Sequence, residues 1–85
     1  MSLDKKILII DDEKDILNLI ETVLQKERFT KIYKNLNGNE GLHLFNKISH
    51  DLVILDIMLR DMEDYEICKY IREKSNIPIF FYRQN

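Results

Sequence analysis

The chain has 85 residues, 45% hydrophobic and 33% charged, with a formal net charge of −2. That length fits one domain, and the composition is that of a globular chain rather than a disordered one. The slight acidity gives no electrostatic footprint for nucleic acid as the main partner. A single cysteine, Cys68, cannot close an internal disulfide and suits a reducing, cytoplasmic setting. The longest apolar runs are strand-sized, and Met1 to Lys6 carry no signal-like apolar stretch, so neither a membrane span nor a secretory leader is expected.

The first element is an unbroken apolar run, Ile7-Leu8-Ile9-Ile10, which reads as a strand buried on both faces and ends at Asp11 and Asp12. Next, Ile16, Leu17, Ile20, Val23 and Leu24 fall at helical spacing, with Glu13, Lys14, Asp15, Asn18 and Glu21 on the other side. A weaker strand spans about Thr30 to Tyr33, where Lys31 and Lys34 suit a sheet edge. The cations Lys26, Arg28, Lys31 and Lys34 are interleaved with Glu27 and apolar residues, which describes a solvated face rather than a phosphate-binding patch.

After the Asn37-Gly38-Asn39 turn, with Asn39 as the expected N-cap, Leu42, Phe45 and Ile48 mark a second helix. Leu52-Val53-Ile54-Leu55 is another buried strand, ending at Asp56. Ile67, Tyr70 and Ile71 mark a third helix from about Tyr65 to Lys74. The last run, Ile77 to Tyr82, is a strand with Pro78 near its start, because proline cannot donate to a ladder. The order β-α-β-α-β-α-β, joined by right-handed crossovers, predicts an α/β fold with an open, doubly wound parallel sheet.

In such sheets ligands bind beyond the carboxyl ends of the strands. Asp11, Asp12 and Asp56 stand at those ends and should converge. Clustered carboxylates repel one another unless a cation is present, and Mg2+ favours such oxygen ligands. A carboxylate beside that ion can also act as a nucleophile toward phosphorus. The plainer alternative is solvated strand-end carboxylates, with Asp12 capping the first helix.

Three separated segments, Lys6 to Glu13, Asp51 to Leu59 and Ile77 to Phe80, resemble the receiver domains of two-component response regulators. The likeness runs from Lys5 to about Tyr82. It implies a flavodoxin-like parallel sheet in the order 2-1-3-4, and a single receiver domain over residues 1–85 that lacks the last helix-strand-helix portion. It also implies roles: Asp56 accepts a phosphoryl group from a sensor histidine kinase. Asp11 and Asp12 hold Mg2+ together with Asp56, with Asp12 as a direct ligand, and the backbone carbonyl of Met58 completes the set. Such a domain is a signalling module rather than an enzyme, and binds neither nucleic acid nor membrane itself.

The chain also departs from the family pattern. Arg60 stands where a proline is usual, and Asp64 where a glycine suited to positive φ is usual. Arg28 replaces a glycine that often ends the first helix, and His50 a proline before the phosphoacceptor strand. Arg83 takes the place of a threonine or serine that bonds the phosphate, and no residue stands at the position of the family's phosphate-binding lysine. Arg83 is either a substitute phosphate ligand or an exposed tail residue. His43 and His50 are expected at the surface, Cys68 half-buried, and Tyr65, Tyr70 and Tyr82 in packing or interfaces. These departures leave three readings open: a phosphoacceptor, a degenerate or truncated receiver acting only as a dimerisation or interaction module, or a truncation product with no activity of its own. With an uncovered fourth strand, a homo-oligomer joined through the sheet edge or face is expected.

Overall fold

A computed structural model describes residues 3–83; Met1, Ser2, Gln84 and Asn85 lie outside them. The elements follow in chain order as β1 (Leu3–Ile10), α1 (Lys14–Lys26), β2 (Phe29–Asn35), α2 (Gly38–Lys47), β3 (Leu52–Asp56), α3 (Asp64–Arg72) and β4 (Ile79–Tyr82). The four strands form one sheet in the order β2-β1-β3-β4, and every pairing is parallel. This is the doubly wound α/β architecture expected from the sequence.

Strand alternation divides the core in two. Leu8, Ile10, Val53 and Leu55 face α2 and α3, where they pack with Leu42, Ile67 and Ile71. Ile7 and Ile9 face the other way, onto Leu17 of α1. All of Ile7 to Ile10 are fully buried, which explains why that segment is a continuous apolar run rather than an alternating one. Gly41 lets α2 approach β1 closely: a Cβ there would lie 2.4 Å from Cδ1 of Ile10.

Several local expectations are corrected. The N-cap of α2 is Asn37, whose side chain accepts from the Glu40 N–H at 2.9 Å, and not Asn39. Asp61 adds to that cap from the β3–α3 loop, accepting from the backbone N–H groups of Gly38 (2.9 Å) and Asn39 (3.0 Å). Asp12 does not cap α1; Glu13 holds the N-cap position, without a side-chain cap. Asp64 needs no positive φ because it opens α3, whereas Arg28 does adopt φ 75° where the helix ends. Its N–H donates to Gln25 O at 3.0 Å and its carbonyl accepts from Leu3 N at 2.8 Å, so the fold imposes this conformation on a residue that disfavours it.

His50 is the clearest miss. It is only 5% exposed, edge-on to Tyr33 and stacked on Phe45. Its apolar neighbours arrive from β2 and α2, which sequence spacing alone does not reveal. His43 is exposed and Cys68 half-buried, as expected.

Candidate functional site

The carboxyl ends of β1 and β3 are adjacent because those strands pair directly, Ile10 opposite Leu55. The next residue on each carries a carboxylate to the same rim. Asp11, Asp12 and Asp56 offer oxygens that all lie within 4.8 Å of one another. The sequence therefore placed this trio correctly. Asp11 is fully buried, Asp56 is 2% exposed, and the Asp12 side chain is 17% exposed.

Backbone and side chains hold these groups in place. The Asp11 N–H donates to Asn35 O at 3.1 Å, which ties the rim to β2. Its Oδ1 accepts from the Glu13 N–H at 2.8 Å, while Oδ2 accepts from the Tyr82 hydroxyl. Asp56 Oδ1 accepts from the Met58 N–H at 2.9 Å. Met58 thus sits at the pocket with its backbone turned to Asp56, while its side chain lies outward and receives an Arg83 N–H at Sδ, 3.8 Å away. Arg60 pairs with Asp12 at 3.5 Å, but its side chain is 89% exposed and water screens the pair.

Burial pushes the Asp56 carboxyl above the usual carboxylate range; the Met58 N–H opposes this, and the nearby charges of Asp11, Asp12 and Glu13 add to it. Burial also drives the Tyr82 hydroxyl far above the ordinary phenol range, reinforced by its bond to Asp11, so it stays a donor. A buried, mutually repelling set of hard oxygen donors fits a small divalent cation, which would favour the ionised forms that burial disfavours.

Two contributors escaped sequence reasoning. Tyr82 was assigned to packing or an interface, yet its hydroxyl reaches Asp11 from β4, where it stands directly opposite Asp56 in the ladder. The available signal was its position as the last residue of the fourth strand. Asp61 was not singled out, because its bonds to the start of α2 span 22 and 23 residues.

The profile of the response regulator receiver domain matches residues 7–85. The chain belongs to that family. Among proteins it resembles, the transcriptional regulatory protein YvrH of Bacillus subtilis (strain 168) is 41% identical over 75 residues, covering 88% of this chain and 32% of YvrH. The response regulator TrrA of Thermotoga maritima, solved in complex with Mg2+ and BeF, superposes with a TM-score of 0.85 at 36% identity, over 93% of this chain and 69% of that one. TrrA in complex with the histidine kinase ThkA gives a TM-score of 0.83 at 37% identity, over 91% of this chain and 66% of that one. The chain therefore spans about a third of the length of curated relatives such as YvrH.

Proposed function

We propose that this chain receives a phosphoryl group on Asp56 from the phosphohistidine of a sensor kinase, with Mg2+ held by Asp11, Asp12, Asp56 and the backbone carbonyl of Met58. The observation that carries this reading is the convergence of the three carboxylates within 4.8 Å at the sheet rim. The ion would supply charge neutralisation for the incoming phosphoryl oxygens. A carboxylate oxygen of Asp56 forms the new O–P bond as the P–N bond to the kinase imidazole breaks, and the imidazole leaves with that bond's electron pair. The Met58 N–H orients Asp56 by holding Oδ1. TrrA, seen both with Mg2+-BeF and with a histidine kinase, supports the choice of cofactor and partner. Among the described residues no helix is long and apolar enough to cross a membrane, and a cytoplasmic setting is proposed with the kinase reading.

A second reading, an interaction module without phosphorylation, is favoured by one feature: the position of the family's phosphate-bonding hydroxyl holds Arg83, whose guanidinium lies against Met58. Either way we propose self-association with a second copy of this chain. Among the described residues β4 is an edge strand with only β3 beside it, and Phe80 and Phe81 are 62% and 47% exposed. A twofold axis normal to the sheet would pair the two β4 strands antiparallel and satisfy their open backbone groups.

Acetyl phosphate and Mg2+ followed by intact-mass measurement tests the main reading. One phosphoryl adduct on the wild type and none on Asp56→Asn is expected. No adduct on either at saturating donor moves the assignment to the interaction module.

A further inference from the structure

Tyr82 belongs to two places at once. Its hydroxyl donates to Oδ2 of Asp11 inside the acidic pocket. Its ring lines an apolar groove of about 510 Å³ between α1 and β4, shared with Ile16, Leu19, Ile20, Ile54 and Phe80. No other residue of the described chain both lines this groove and hydrogen-bonds a member of the carboxylate trio. Building on the metal reading proposed above, we infer that Tyr82 is a cation-displaced latch: its hydroxyl and a divalent ion compete for Asp11, and binding of the ion frees the ring into the groove.

The competition is one of charge at a single carboxylate. Asp11 already gives Oδ1 to the Glu13 N–H and Oδ2 to Tyr82, so both oxygens are engaged within the protein. The Tyr82 proton offsets part of the repulsion in the trio, and a dication does the same far more strongly. An oxygen that shares its electron density with the dication is a poorer acceptor, so the two bonds to Asp11 oppose each other. Space decides where a released phenol goes. On the sheet side Tyr82 is held by β3, with its carbonyl accepting from the Ile57 N–H at 3.0 Å, while the groove beside it is open and apolar. Ion binding at the rim would thus be transmitted to the exposed face that also carries Leu19 and Val23, 59% and 52% exposed.

Linkage makes this testable from both ends. Mg2+ titration by calorimetry should show Tyr82→Phe binding about five- to tenfold tighter than wild type, because the competitor is gone. In tyrosine-labelled wild type, the ring resonance absent from Tyr82→Phe should move on Mg2+ saturation, while those of Tyr33, Tyr65 and Tyr70 stay in place. Equal or weaker affinity in Tyr82→Phe, or a Tyr82 resonance indifferent to saturating Mg2+, overturns the latch and leaves the metal reading standing. Failure of both proteins to bind Mg2+ at millimolar concentration overturns the metal reading itself, and the latch with it.

Discussion

The two faces of the sheet are made from the same strands, yet they differ in closure. Under α2 and α3, seven side chains form one sealed cluster in which Leu8, Ile10, Val53, Leu55, Ile67 and Ile71 are fully buried. Under α1, only Ile7, Ile9 and Leu17 are buried, and Leu19, Val23 and Phe80 remain exposed beside an open groove. Among the described residues, two helices cover the first face and one covers the second. The difference shows that the apolar character of a strand tells how much of it must be covered, while the number of helices docked decides how much is.

The sharpest way to break this comparison is to cut one side chain from each face. Ile67→Ala, at 0% exposure, should cost about 2–5 kcal/mol of unfolding free energy, because the removed atoms leave a cavity that neighbours fill only in part. Val23→Ala, 52% exposed, should change it by less than about 0.5 kcal/mol. Urea unfolding of both variants checks the pair, and equal losses would contradict the asymmetry.

A somewhat smaller effect is expected from adding an atom. Gly41→Ala drives a methyl to within 2.4 Å of Ile10 Cδ1 and 2.7 Å of its Cγ1. The overpacking costs about 1–3 kcal/mol, and removal of a helical glycine returns up to ~1 kcal/mol. A net loss near ~1 kcal/mol should appear in denaturant titration, partly recovered by Ile10→Val, which deletes the nearest atom.

The closed face also carries a pH signature. Burial, then the Lys6 charge, lowers the His50 pKa, with Asp51 and the Ile48 backbone opposing. Neither ring nitrogen meets full hydrogen-bond geometry with a partner. The folded protein thus holds a neutral imidazole at pH values where the unfolded chain, with a pKa near ~6.5, becomes protonated. Below about pH 6.5 the unfolded state binds more protons, so stability falls as pH drops from 7.5 to 5.5. His50→Phe should flatten that limb of the thermal-melting profile, whereas His43→Phe, at the surface, should leave it as in the wild type.

The smallest stability effect belongs to the open face. Phe80→Lys, at a 62% exposed edge position, should alter unfolding free energy by under ~0.5 kcal/mol. It should nevertheless abolish the concentration dependence of sedimentation expected of the wild type. A wild type that remains a compact monomer at micromolar concentration sinks the self-association proposal.

Much of this was readable from particular residues. Ile7 to Ile10 and Leu52 to Leu55 announce doubly covered parallel strands, because only strands buried on both faces can be apolar at every position. Asp11, Asp12 and Asp56 follow from those runs, since a carboxylate one or two steps beyond a buried apolar run lies on the rim where the topology gathers ligands. The cap of α2 was misassigned by two residues because asparagines stand at both 37 and 39 and either can cap; backbone geometry chose Asn37.

The sequence by itself determined the alternation of elements, the parallel sheet and the carboxylate trio, for these depend on local periodicity and on chain order. Only the tertiary structure decided that His50 is enclosed by Tyr33 and Phe45, that Asp61 caps a distant helix, and that the Tyr82 hydroxyl meets Asp11 from 71 residues away. Each of those contacts joins elements through side-chain reach and strand register, which no local pattern of residues encodes.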